Sequence, residues 1–476
     1  MNSKRKSFIF KGYDTDLKQG WADFRYEIKL PNETLLFSER LTFSPNHVVP
    51  SVANEKTLAP ILDSLLLMLG ISYWKLYCPE TIIIEPFTLS KKQAEFWNTV
   101  YTKGLGEFYF KNKIDFRKLV DFPYSKNFAG HRKSSLHKLR YGKVEEREYQ
   151  NFSQEFGKAR IAKTLLLYGG GKDSLVSAEL LKAAGKPFSI YTMNEYPFQR
   201  KAMETIKADY ISIKRELDAR LINIAKHKDI YEGHVPVSLM YAFTAAFAST
   251  LYGYDYIVAS NEETASYGNT TYLGMEINHQ WSKSLECEQL AQAYIHDFIN
   301  PHLTYFSLLR PLKEIAITEL FSHYPQYFRL FVSCNKNFTI GDHGEKFSWC
   351  GKCPKCLFVF ALMAAFIPRK ELIEIFGRNL FADSSLITLY KELLGLENTK
   401  PFECIGIPEE TQVAFYRAYK KAEYRGDAIM QMFVNEFSKR FNDIALLEEN
   451  QIGQPVAHLI PKSFQPVISC YAGKTY

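Results

Sequence analysis

Residues 164–181 read TLLLYGGGKDSLVSAELL, and the change of pattern inside this stretch decides the fold. The apolar run Thr164–Tyr168 has the length of a buried strand, three glycines interrupt it, and after Ser174 the apolar positions recur at helical spacing. The pattern is strand, glycine loop, helix. Gly169, Gly170 and Gly171 carry no Cβ and tolerate positive φ, so their N–H groups can curl into a concave nest around an anion. Ser174 and the first helical turn add unpaired donors at the positive end of a macrodipole, and Lys172 supplies a mobile cation. Such a loop is a cradle for pyrophosphate; the plainer alternative is an ordinary glycine-rich turn between strand and helix. Spacing excludes two commoner nucleotide loops. A Walker loop requires glycine where Leu166 stands and Ser or Thr where Asp173 stands, and a dinucleotide fingerprint requires glycine at Ser174.

A third nucleotide loop does match. GGGKDS resembles the SGGxDS loop of the ATP-pyrophosphatase (PP-loop) superfamily, whose members split ATP between its α and β phosphates and often adenylate a substrate. Gly169 departs from the pattern by replacing the first serine, which removes one hydroxyl contact to phosphate and leaves the nest. The resemblance implies that Gly169, Gly170, Gly171, Lys172, Asp173 and Ser174 hold ATP, with Asp173 helping to place Mg²⁺.

Working outward, strands and helices alternate. Pro187–Thr192, Tyr210–Lys214 and Tyr256–Ser260 read as strands, and Pro197–Lys207 and Ser238–Tyr252 as helices. This alternation predicts a parallel sheet with its site at the carboxyl ends of the strands. Thr192, with Met193 and Asn194, is therefore a candidate for the adenosine pocket. The polar loop that opens with Asn261, Glu262 and Glu263 falls over the cradle as a lid or substrate loop. Within it Glu262, His279 and Lys283 are the candidates for moving protons, and Asn261, Asn269, Gln280 and Ser282 for binding substrate; singly, each is as well explained as a cap, a turn residue or a core group.

Upstream, Trp21, Phe24, Tyr26, Ile28 and Leu30 alternate with polar residues, Pro31–Glu33 is a hairpin turn, and Leu35, Phe37 and Leu41 resume the pattern. A helix over Thr57–Leu69, a strand over Thr81–Glu85 and a helix over Ser90–Asn112 broken near Gly104 and Gly106 complete an N-terminal α+β domain. Residues 124–160 are charged and lack apolar periodicity, as a connection does; His131, Arg132, Lys133 and Arg140 there could meet an anionic substrate.

Downstream, Cys350, Cys353 and Cys356 are spaced C-x₂-C-x₂-C, with Cys334 sixteen residues before them. Four thiolates suit a closed tetrahedral zinc site with a structural role, and an iron–sulfur cluster is the competing occupant. The arrangement is similar to that of 7-cyano-7-deazaguanine synthases, which favours zinc. Cys78, Cys287, Cys404 and Cys470 are isolated and expected to be inert. After Pro368 the pattern is helical until the last twenty-five residues, where Pro455, Pro461 and Pro466 suggest irregular chain. The domains expected are thus 1–123 (α+β), 124–160 (linker), 161–332 (parallel α/β), 333–366 (Cys₄ knuckle) and 367–476 (helical).

Composition bounds the function. At 476 residues, 46% hydrophobic and 15% aromatic, the chain can bury two or three cores. A net charge of +7 without a lysine-arginine block suits anionic small molecules and gives no nucleic-acid arm. No span of transmembrane length and no secretory leader is expected, and the cysteine usage fits a cytoplasmic protein. Oligomeric state is not legible.

Several motifs together carry a sharper resemblance: GISYWKLYCP (70–79), KGLGEFYFKN (103–112), YGGGKDS (168–174), SNEETASYGN (260–269), INHQWSKSLE (277–286), WCGKC (349–353) and PFECIG (401–406). In this order they resemble the MurL-type UDP-N-acetylmuramoyl-L-alanyl-L-glutamate epimerases. That resemblance implies a PP-loop (HUP-like) ATP-binding α/β domain flanked by an N-terminal α+β domain and a C-terminal helical, zinc-knuckle region. It also implies inversion of the terminal L-glutamate of a UDP-muramoyl dipeptide, with ATP consumed to AMP and diphosphate in the presence of Mg²⁺. Cys404 is an outside candidate for proton transfer, because thiols serve in amino-acid racemisation. Two other classes stay open: a PP-loop nucleobase- or tRNA-modifying synthase, and a non-catalytic zinc-knuckle binding protein.

Overall fold

The computed structural model describes residues 6–53, 55–126, 139–140, 162–224, 230–338, 348–397, 400–450 and 456–472. Its first strands are β1 (Ser7–Asp16), β2 (Trp21–Lys29), β3 (Thr34–Thr42), β4 (Thr81–Ile84) and the two-residue β5 (Leu139–Arg140). The glycine loop follows β6 (Thr164–Leu167), and β7 (Ser189–Met193), β8 (Tyr210–Glu216) and β9 (Tyr256–Ala259) come next. A small hairpin, β10 (Thr270–Tyr272) with β11 (Met275–Ile277), precedes β12 (Thr304–Ser307).

All but the small hairpin join one ten-stranded sheet, ordered β12-β9-β6-β7-β8-β3-β2-β1-β4 with β5 beside β1. The run β12 to β8 is parallel, as the alternating pattern predicts. It does not end there. β8 pairs antiparallel with β3 through Arg40, Leu41 and Thr42, and β3, β2 and β1 form an antiparallel meander. The sheet therefore crosses from the segment expected as an α+β domain into the segment expected as α/β. Arg215 of β8 pins the seam by bonding Glu39 of β3 at 2.5 Å, with Glu39 fully buried. The partnership also covers a β8 edge that would otherwise be left unpaired.

Helices α1 (Glu55–Trp74), α2 (Lys91–Lys103) and α3 (Gly106–Asn112) follow the meander. The break between α2 and α3 falls at Gly104 and Leu105, where the sequence places it. In the second half lie α4 (Lys172–Ala183), α5 (Pro197–Ile206), α6 (Ala219–Ile224), α7 (Val237–Tyr252), α8 (Leu285–Tyr294) and α9 (Glu314–Ser322). The C-terminal helices are α10 (Pro354–Ala364), α11 (Arg369–Phe376), α12 (Ile387–Leu393), α13 (Pro408–Lys420), α14 (Ala428–Phe437), α15 (Phe441–Asn450) and α16 (Gln465–Ala472).

The pleat sorts the core into two layers. Leu165, Tyr191, Ile257 and Tyr305 point to the face covered by α1 and α7, and Leu166, Ile190, Val258 and Phe306 to the face covered by α4, α9 and α10. Two expectations change. Helix α1 does reach transmembrane length and apolarity, but 83% of that window is buried inside the fold, which makes it a core helix. The proline-rich tail is not irregular throughout, since α16 forms with Pro466 in its first turn, the position where a missing N–H costs nothing. The expected linker lies almost entirely outside the described residues, His131, Arg132 and Lys133 with it; Leu139–Arg140 adds to the sheet edge.

One buried fork joins these layers to the polar loop after β9. Arg310, fully buried, donates from Nε and Nη2 to Glu288 Oε2 at 2.9 and 2.7 Å, from Nη1 to the Glu262 carbonyl, and from Nη2 to the Lys283 carbonyl at 2.6 Å. Removing one partner of such a pair strands the other charge. We expect Arg310→Ala to lower the unfolding free energy by about 3–5 kcal/mol, read from chemical denaturation; a loss below about 1 kcal/mol would contradict this account.

Candidate functional site

The glycine loop is shaped by its residues. Gly170 has φ +88°, and a Cβ there would meet the Phe198 ring at 2.6 Å, whereas Gly169 and Gly171 face open space. Gly171 is the N-cap of α4 and provides no side-chain bond, so the first-turn N–H groups are offered to whatever sits over the loop. Ser174 Oγ donates to the Gly171 carbonyl at 3.0 Å, fixing the turn. The loop is also latched from below, where Val332 N donates to the Gly170 carbonyl at 3.3 Å, two residues before Cys334.

Lys172, expected as a mobile cation, is paired within the fold. Its side chain is buried, bonded to Asp173 Oδ1 at 2.5 Å and to the Glu314 carboxylate at the start of α9. Burial opposes its charge, but Asp173 and Glu314 outweigh that and hold it above the ordinary lysine range. Lys355 of α10 approaches the same Glu314 carboxylate at 3.6 Å. Burial would raise the Glu314 carboxyl, and the two lysines pull it well below its usual range instead. Asp173, 29% exposed, stands at the lip of the nest.

Glu262 leads out of β9 and is buried, accepting from Thr264 Oγ1 at 2.6 Å. Burial, then the charges of Glu314 and Glu410, push its carboxyl up to about 8. Glu410, at the start of α13, accepts from the Ile315 and Ile407 N–H groups at 3.1 Å each and is pushed up to about 7 by burial and Glu314.

His279 and Lys283 come together around a residue set aside above as inert by default. His279 Nδ1 is hydrogen-bonded to the Glu107 carboxylate of α3, and its Nε2 lies 3.7 Å from Cys404 Sγ. Lys111 holds the other Glu107 oxygen at 2.5 Å. Burial opposes charge on His279, but Cys404 and Glu107 outweigh it and lift the imidazole to about 9. Burial likewise opposes a Cys404 thiolate, yet Lys283 and His279 bring the thiol down to about 5. Lys283 is raised chiefly by Cys404, then by Asp173, Glu314 and Glu262, so its charge links the thiol to the nest.

The remaining sequence candidates make bonds within the fold. Asn269 donates to the Lys400 and Pro401 carbonyls at 3.2 and 2.9 Å, and Gln280 to the Ile405 carbonyl at 2.9 Å, so together they fasten the segment that carries Cys404. Asn194, with φ +58°, accepts from Arg215 N at 2.6 Å as a turn residue, and the Asn261 carbonyl accepts from Ser307 Oγ at 2.6 Å. Thr192 is buried at the end of β7, within 3.4 Å of Gln199. Ser282 is buried in the short turn Trp281–Lys283. The expected lid is packed at both ends, around residues 262–265 and 277–282, and exposed at the β10–β11 hairpin between them. Glu107, Glu314, Lys355 and Glu410 escaped the sequence reading. For Glu107 and Lys355 the signal was a lone charge inside an apolar or motif run, as in GEFYF and CPKC; Glu314 and Glu410 stand beside Lys313 and Glu409 and had none.

Cys334, Cys350, Cys353 and Cys356 converge, with all four sulfurs within 4.8 Å of one another and pairs at 3.5, 3.7 and 4.0 Å. Four sulfurs about 2.3 Å from one ion lie about 3.8 Å apart, so the four thiols could bind a metal such as zinc. We expect elemental analysis of the purified protein to find one zinc per chain and Cys353→Ser to lose it; a metal-free, fully folded wild type would contradict the assignment.

Comparison with known proteins finds one family along most of the chain. The MurL N-terminal domain matches residues 1–308 and the MurL C-terminal domain residues 330–447. The chain is 33% identical to a UDP-N-acetyl-alpha-D-muramoyl-L-alanyl-L-glutamate epimerase of Micromonospora sp., covering 90% of each chain. It is 32% identical to the protein of that name from Xanthomonas oryzae pv. oryzae, over 86% of this chain and 85% of the relative. It is 31% identical to the one from Salinispora tropica, over 90% and 88%. With both domains matched in order and relatives aligned over most of their length, the chain belongs to the MurL epimerase family.

Proposed function

We propose that this chain is an ATP-dependent epimerase that inverts the terminal L-glutamate of UDP-N-acetylmuramoyl-L-alanyl-L-glutamate, a precursor of the bacterial cell wall, in the cytoplasm. The observation that carries the reading is the open glycine nest joined through Asp173, Glu314 and Lys283 to a second cluster of ionisable groups. A phosphate cradle alone would suit a kinase or a ligase. A cradle beside groups able to move protons suits activation followed by proton exchange.

The chemistry explains the need for both. An α-proton next to a free carboxylate is very weakly acidic, because its removal puts a second negative charge on an anionic group. Transfer of AMP to that carboxylate removes the first charge and lets the carboxyl accept the electron pair as an enolate. Gly169, Gly170, Gly171 and Ser174 frame the donors for the departing β and γ phosphates, and Lys172 turns from Asp173 towards them. Mg²⁺, when bound, neutralises polyphosphate charge, and Asp173 is the residue that would hold it. Diphosphate leaves as the adenylate forms, and hydrolysis of the adenylate then returns the free acid with inverted configuration together with AMP.

The test is coupled. In D₂O, with ATP and the dipeptide nucleotide, the wild type releases diphosphate and places deuterium at the glutamate α-carbon. Asp173→Asn and Lys172→Ala lower substrate-dependent diphosphate release about 10²–10³-fold, and Gly170→Ala, which drives a Cβ into Phe198, does the same. No diphosphate and no deuterium from the wild type would end the proposal.

A further inference from the structure

Outside the nest, the described cysteines divide into three kinds. Four sit in the knuckle, and Cys78 and Cys287 are core thiols, 7% and 2% exposed, pushed upward by burial. Cys404 is different on every count. It lies between Pro401 and Pro408 in a segment without regular structure, is part-exposed, and is held from several sides. Asn269 and Gln280 bond the backbone on either side of it, and the Phe402 ring stacks on Phe110 of α3 at 5.3 Å. A loop fixed at this many points presents a side chain reproducibly.

We infer that Cys404 is the group that takes the glutamate α-proton, and that Glu107 and His279 are positioning residues that hold its sulfur as thiolate. This rests on the epimerase reading above. The geometry is a line of three groups from distant stretches of sequence. Glu107 accepts from His279 Nδ1, and His279 directs Nε2 at the sulfur. The carboxylate fixes the tautomer and orientation of the ring, and the ring's positive charge stabilises the thiolate, as in other carboxylate–imidazole–nucleophile lines. The cations acting on this sulfur are His279 and Lys283 from the loop after β9, Lys355 from α10 and Lys400 from the start of its own segment. Glu403 of its own segment lies beside it, and Glu107 with His234 stands behind His279, the two imidazole rings 4.6 Å apart. The positive groups prevail.

The step balances. The Cα–H bond breaks, an S–H bond forms on Cys404, and the electron pair moves into the adenylated carboxyl. A proton from the Lys283 ammonium then makes a new C–H bond on the opposite face. Solvent takes the proton from sulfur and returns one to Lys283. His279 touches no substrate atom in this scheme and Cys404 does.

Variants at Cys404 separate this inference from the reading it rests on. Cys404→Ala and Cys404→Ser should still release diphosphate in a substrate-dependent manner, while deuterium entry at the α-carbon falls about 10²–10⁴-fold. The retained half-reaction also reports that the variants fold. The deuterium-entry rate of the wild type should need the thiolate, so it falls on an acid limb that lies at or above the pH near 5 at which the thiol of the empty site ionises, and is level above that limb. In His279→Gln the loss of the facing cation moves that limb up by about 1–3 pH units, and Glu107→Gln moves it in the same direction by less. The pH dependence of Cys404 alkylation, followed by mass spectrometry, should move with it. Deuterium entry at the wild-type rate in Cys404→Ala overturns the inference and leaves the epimerase reading intact. So does a covalent acyl group on Cys404 released by hydroxylamine, which would make the thiol a nucleophile. A wild type without substrate-dependent diphosphate release removes the epimerase reading itself.

Discussion

Everything functional in this chain hangs from the Arg310 fork. One guanidinium holds the Glu262 carbonyl at one end of the polar loop and the Lys283 carbonyl at the other, while Glu288 of α8 answers its charge from within the same core. An arginine can do this because its donors lie in a rigid plane and can serve two carbonyls and a carboxylate at once; a lysine ammonium cannot reproduce that fork. Closing a loop of some twenty residues at both ends costs chain entropy that a surface loop avoids. The reward is placement. With its ends fixed, the loop brings Glu262 to the nest side and His279 to the α3 side of one site.

That site draws on every layer of the molecule. The nest comes from the parallel half of the sheet, Glu107 from helices that follow the meander, and Cys404 from a segment after the knuckle. The antiparallel joint between β3 and β8 makes this possible, because it fixes the helices of the first hundred residues relative to the glycine loop. The Cys₄ cluster has a part beyond stability. Its first cysteine follows the Val332 latch on Gly170, and its C-x₂-C turn starts α10, which delivers Lys355 onto Glu314. A metal there would hold both in register.

What the sequence disclosed were features written within a few residues of one another. The strand–glycine–helix change at 164–181, the hairpin turn at 31–33, the helix break at 104–106 and the cysteine spacing are local, and local rules read them. Glu107, His279 and Cys404 carry no such signature, since what unites them is distance in space and not in sequence. The partners of Lys172 stayed hidden for a related reason. A lysine after a glycine loop looks free until Glu314, 142 residues away, is found inside the same core. The sheet went on past β8 because β3 alternates like any half-buried strand, and alternation does not say which neighbour a strand will choose.

The charges then close on themselves. Burial and the neighbouring carboxylates Glu314 and Glu410 lift Glu262, which favours its protonated form. Lys172, Lys283 and Lys355, with Lys400 beside them, face Asp173, Glu314 and Cys404, so each cation has more than one anionic partner within reach. Such a set is stable enough to fold yet poised to exchange partners. In the proposed reaction a polyphosphate entering the nest competes for Lys172, and the negative charge of the substrate draws on Lys283 and Lys355. Each cation that turns away leaves the sulfur less well stabilised as thiolate, which makes it a stronger base. The loaded site thereby gains basicity where the α-proton must be taken, while the empty site keeps the same thiol quiet.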